Sequence, residues 1–299
     1  MTVVQEVTPS ATQQPEMAVP PGRLAVRRFM RHRLAVVGLV VLVLMGLATL
    51  VLPLIVTTDP NAVDPTAFRR PPSSEHPLGT DSAGRDVLAR LIAGGQISLL
   101  VGLIAAFGAT VIGMTLGAVA GYFGGWVDAT ISRLTDVVLS FPTLIVVIIV
   151  VAFVGPSLTT LVLAIALFDW PTACRVVRGL TMSLRAQDSI TGVIGLGAGP
   201  LRILRKHVVP TVVAPLTVVA TILVAQAIML EAALSFLGLG VPPPSASWGN
   251  MLNEAQSLSI LESMPWLWLP PGLAIALTVL AVNFVGDGLR DAVDPRTTR

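Results

Sequence analysis

Charge is scarce in this 299-residue chain: Asp, Glu, Lys and Arg together make up 12%, against 54% hydrophobic residues, and mean hydropathy is +0.81. A water-soluble domain of this length carries about twice that charge, so a soluble fold is excluded. One cysteine, Cys174, rules out an internal disulfide, and its place in an expected cytoplasmic loop implies a reduced, space-filling thiol. There is a single lysine, Lys206, between Arg205 and His207. The phosphate-gripping Gly-x-x-x-x-Gly-Lys-Ser/Thr loop needs a lysine in another setting, so this chain holds no such nucleotide site. The three histidines, His32, His76 and His207, fall in separate loops without a His-Glu-x-x-His pattern, which leaves no expected metal site and no intramembrane metallohydrolase. Aromatics are 5%, and the basic residues do not form an aromatic-interleaved face, so the net charge of +2 does not point to nucleic acid.

What is present are six apolar stretches. Leu34 to Val56 is uncharged and, at 1.5 Å per residue, covers roughly 34 Å against a hydrocarbon core of about 30 Å. Residues 57–96 form a polar loop and approach to the second span, placed at Ile97 to Gly121. The apolar run from Val137 to Phe168 is interrupted at Gly155-Pro156-Ser157, which reads as two helices joined by a tight turn, the second a short one from Ser157 to Trp170. The fifth span runs from Val208 past Leu230, and the sixth lies between Glu262 and Asp287 behind the interfacial pair Trp266 and Trp268. Residues 1–22 have tail-like composition, and the first apolar run is too long for a cleavable signal, so it is expected to remain as an anchor.

Orientation follows from charge. With six spans and both termini cytoplasmic, fifteen of the 19 Lys and Arg lie inside and four, Arg69, Arg70, Arg85 and Arg90, lie outside. Five spans would put the basic loop outside. The expected fold is therefore an all-α membrane protein of six transmembrane helices. It has a basic N-terminus over 1–33, a main transmembrane domain over 97–286, a cytoplasmic loop over 171–207 and a cytoplasmic tail over 287–299.

Three features carry functional information. Gly113, Gly117 and Gly121 recur every four residues, a face on which another helix can pack closely. Glu231 follows an apolar run from Val208 to Leu230. An unpaired acid at that depth costs roughly 3 kcal/mol, so Glu231 should face the bundle interior or a wet cavity, with Gln226 a candidate partner or fellow lining residue of a translocation pathway. Asp169 is expected at the membrane interface. In the loop, Thr191, Gly192, Gly195, Leu196, Gly197, Ala198, Leu201 and Arg202 form a glycine-hinged reversal between two short helices.

That loop, from Leu196-Gly197-Ala198 to His207-Val208-Val209-Pro210, resembles the ATPase-docking loop of ABC importer permeases, with Thr191-Gly192-Val193 where the family reads Glu-Ala-Ala. The resemblance narrows to the C-type subunit of dipeptide and oligopeptide importers through three blocks. These are His76-Pro77-Leu78-Gly79-Thr80-Asp81 with Gly84-Arg85-Asp86; Leu234 to Gly240 with Ser247-Trp248-Gly249; and Asn283 to Asp291 with Asp294-Pro295-Arg296. His76, Asp81, Arg85 and Asp86 read as a charge-paired loop before any metal site. The resemblance implies a type I importer transmembrane fold in the cytoplasmic membrane. It also implies a second permease subunit, two ATPase subunits that bind ATP and Mg, and an extracytoplasmic substrate-binding protein; no cofactor or catalytic residue is implied in this chain. Relatives of this kind move dipeptides, longer peptides, glutathione or nickel. An ion-coupled carrier, the competing class, would show matching half-repeats and several buried ionisable groups, and neither is evident.

Overall fold

The structure, a computed structural model, describes residues 21–293. Of the tail expected over residues 1–22, the first twenty lie outside the described residues and the last two open a helix; the Asp294-Pro295-Arg296 block and Arg299 also lie outside. The described chain is helical: α1 (Pro21–Arg31), α2 (Arg33–Ile55), α3 (Val87–Phe123), α4 (Gly125–Leu139), α5 (Thr143–Val154), α6 (Leu158–Arg185), α7 (Asp188–Gly195), α8 (Pro200–Ile203), α9 (Val209–Phe236), α10 (Trp248–Glu254), α11 (Leu258–Ser263) and α12 (Pro265–Val293). A π-helical turn, Leu204–Val208, fuses α8 to α9. The turn widens just ahead of Pro210, whose ring crowds the carbonyl four residues back and whose missing N–H cannot bond it.

Five helical stretches are long and apolar enough to cross a membrane: α2, α3, α6, the fused α8–α9 and α12. A sixth candidate is the pair α4 and α5, bent by 83° at the break between them. Two expectations change here. The third span is not one straight helix, because Phe141-Pro142 ends α4 and α5 alone is 12 residues, roughly 18 Å, too short for the hydrocarbon core. The fourth is not short: α6 runs 28 residues straight through Pro171, so residues 171–185 are helix and the true connecting segment begins after Arg185. Pro171 is tolerated because α6 is held against α3 along its length, with Trp170, Ala173 and Cys174 buried on the shared face.

α3 is the central element and packs on α6 and α9, while α12 joins α2 to α9. α3 also starts earlier than hydropathy places it. Asp86 caps it, accepting from the Ala89 N–H at 2.8 Å, and adds a charged first turn below the apolar run.

Candidate functional site

The reversal after α7 is built from local rules. Leu196 ends the helix, Gly197 follows at φ +84°, and the Gly197 N–H donates to the Ile194 carbonyl at 2.9 Å while Ala198 N–H donates to Val193 at 3.3 Å. This is a Schellman closure, which needs a left-handed residue at the glycine position. Pro200 then opens α8, where a missing N–H costs nothing. Ile190 on one side and Ile203 on the other are buried in the bundle core and pin both arms. Between these anchors Leu196 is 90% exposed and Leu201 62%, beside exposed Thr191, Gly192, Gly195 and Arg202; Ala198 is half-buried. A fixed scaffold thus presents apolar side chains to the outside.

The glycine face of α3 meets α6 of the same chain. A Cβ on Gly113 would sit 2.6 Å from the Trp170 carbonyl, one on Gly117 2.5 Å from that of Cys174, and one on Gly121 2.6 Å from that of Arg178. Three turns of α3 therefore lie backbone to backbone on α6. Arg178 also holds Asp128 of α4 in a two-pronged pair, Arg175 holds Asp136 at 2.8 Å, and Arg185 donates to the Tyr122 carbonyl.

Glu231 is wholly enclosed, accepting from Ser98 of α3 at 2.9 Å and from Ser235 at 2.7 Å, with the Trp248 N–H donating on to Ser98 at 3.2 Å. The acid thereby ties α9 to α3 and to the start of α10. Gln226 is not its partner: five residues apart on a helix means roughly 140° around the axis, and Gln226 is exposed on another face. It lines a cavity of about 320 Å³ with Asp169, Thr143 and Thr172. Asp169 sits 11 residues into the 28-residue α6, near the middle of a helix that runs on past Trp170, where the fourth span was expected to end.

At the end of the bundle where α3 begins, the charged loop is a closed network. Asp86 receives His76 at 2.8 Å; Arg85 bridges Asp81 at 2.7 Å and Glu254 of α10 at 2.8 Å; buried Arg90 reaches Glu254 at 2.9 Å and Asp81 at 3.4 Å. Glu254 carried no local signal, being 164 residues from Arg90. We expect Glu254→Gln to lower stability by about 2 kcal/mol by leaving Arg90 short of countercharge, read as a shift in the denaturant midpoint of the detergent-solubilised protein. Among the described residues no group of three or more His, Cys, Asp or Glu could hold a metal ion.

A family model described as the binding-protein-dependent transport system inner membrane component matches residues 113–299. The chain belongs to that family of permease subunits. A second model, the N-terminal transmembrane domain of oligopeptide transport permease C, matches residues 20–72. Among relatives, the chain is 45% identical over 276 residues to a putative peptide permease protein of Brucella suis biovar 1, covering 92% of this chain and 91% of that one. It is 40% identical over 279 residues to the dipeptide transport system permease protein DppC of Alkalihalophilus pseudofirmus, covering 93% and 91%. A solved structure of inward-facing MetNI methionine ABC transporter aligns at a TM-score of 0.55 and 19% identity over 68% of this chain and 96% of its own, a likeness of fold. The permease is accordingly a multi-pass protein of the cytoplasmic membrane with a type I importer fold, and the α7–α8 reversal lies inside the matched region.

Proposed function

We propose that this permease subunit forms, with a second permease subunit, the passage for di- and oligopeptides of an ATP-driven importer. Both termini and the α7–α8 reversal face the cytoplasm, where the reversal docks on the motor formed by two ATPase subunits that bind ATP and Mg; a substrate-binding protein delivers cargo from the other side. The observation that carries the reading is the reversal itself: two buried isoleucines fix a turn that exposes Leu196 and Leu201. The fifteen-to-four partition of basic residues supports its side, and the names of the peptide-permease relatives support the cargo. Nucleotide-driven closure of the ATPases would move this pinned turn and, through α6 and α9, rock the bundle between inward-open and outward-open states.

In proteoliposomes, peptide uptake is expected only when the second permease, both ATPases, the binding protein and ATP are all present. Concentrative uptake by this chain alone, driven by an ion gradient, would replace the reading with a secondary carrier.

A further inference from the structure

The cavity shared by Asp169 and Gln226 has no role in the ATPase-docking reading. Asp169 lies roughly 17 Å along α6 from its first residue, and Gln226 roughly 15 Å from the last residue of α9, so both stand well inside their helices. Asp169 has no hydrogen bond or ion pair among the described residues. The acids of α4 and α9 are committed: Asp128 to Arg178, Asp136 to Arg175, and Glu231 to Ser98 and Ser235. Those same pairs occupy Arg175 and Arg178 of α6, and among the described residues no cation pairs with Asp169.

An ionisable acid kept without a partner in a helix long and apolar enough to cross the membrane ordinarily marks an ion or substrate path. Its surroundings fit one chemistry. Asp169 offers only acceptors, Gln226, Thr143 and Thr172 add carbonyl and hydroxyl oxygens, and the four come from α5, α6 and α9 around about 320 Å³. Phe168 and Leu230 add apolar wall. A primary ammonium brings three donors and one positive charge, which this set matches; a carboxylate would meet like charge.

We propose that this recess is a cation-binding station among α5, α6 and α9, taking the side-chain ammonium of a passing peptide. The occupant rests on the proposed peptide cargo; the cation preference does not.

The test uses the assembled complex in a Cys174→Ala background carrying Gln226→Cys, and compares the rates at which the introduced thiol reacts with aminoethyl and sulfonatoethyl methanethiosulfonate. The cationic reagent should react about tenfold faster, and adding Asp169→Asn should bring the two rates within about twofold. Equal rates with Asp169 in place, a preference that survives Asp169→Asn, or no reaction with either reagent would each overturn the cation site. A second measurement compares ATP-driven uptake of two tripeptides that differ only in a central Lys or Glu. Asp169→Asn should lower the Lys-to-Glu uptake ratio about tenfold, and Asp169→Glu should keep it. An unchanged ratio beside intact labelling preference would remove the recess from the peptide path. Labelling preference in a complex that imports neither tripeptide would instead overturn the peptide cargo and, with it, the ammonium occupant.

Discussion

Gly117→Leu is expected to abolish accumulation of folded permease, whereas Gly46→Leu in α2 should be nearly silent. A Cβ at 117 would lie 2.5 Å from the Cys174 carbonyl oxygen, 2.9 Å from the Val177 Cβ and 3.0 Å from the Arg178 nitrogen. Two of those neighbours are main-chain atoms of a helix and cannot swing aside. The only relief is separation of α3 from α6, which also opens the contacts at Gly113 and Gly121. Overpacking of a rigid site costs about 3 kcal/mol, and in lipid no hydrophobic gain offsets it, because tails solvate leucine as well as a neighbouring helix does. Separation would further strain the Arg178–Asp128 pair and the Arg185 bond to Tyr122, which hold α6 to α4 and α3. Gly46 has nothing within 4 Å of an added Cβ, so the same side chain should be accommodated there. Monodisperse yield in detergent and the SDS-unfolding midpoint measure both; a Gly117→Leu protein with an unshifted midpoint would remove the glycine face from the determinants of assembly.

Features written in neighbouring residues were legible, and those made by distant ones were not. The four-residue glycine spacing announced a packing face on α3, but its partner could have been any helix, since nothing in Trp170-Pro171-Thr172-Ala173-Cys174 says which neighbour it meets. Reading that stretch by hydropathy ended a span at Trp170 and opened a loop at Pro171; the proline's local veto was overridden by three turns of backbone contact. The same misplacement put Asp169 at the end of a helix that in fact runs sixteen residues beyond it. Likewise the charged His76-to-Asp86 block read correctly as a paired loop, yet Glu254, which closes it, is supplied by a segment beyond α9. The reversal at Gly197 was readable because glycine, then proline three residues later, act through their own dihedral angles.

Gly197→Val should leave the bundle intact and cut ATP-coupled uptake about tenfold or more. At φ +84° a residue with a Cβ is strained, most of all a β-branched one, and left-handed geometry costs about 1–2 kcal/mol. Relieving that strain rotates the turn and breaks the Gly197 and Ala198 bonds to Ile194 and Val193. Space is not the obstacle, as nothing lies within 4 Å of an added Cβ at this position, so the damage stays in the turn while Ile190 and Ile203 remain buried. Leu196 and Leu201 would then no longer be held in one arrangement toward the ATPases, and co-purification of those subunits should weaken in step with uptake. Two further variants separate dihedral strain from a generic surface change. Gly197→Asn should recover most of the activity, because asparagine adopts the left-handed region readily, and Gly192→Val, at an exposed helical position with free space around it, should do far less harm. If Gly197→Val retained full coupled uptake, the pinned reversal would not be the lever through which the motor moves α6 and α9. If Gly192→Val did equal damage, the exposed surface of α7 would carry the contact and the closure at Gly197 would matter only for local fold.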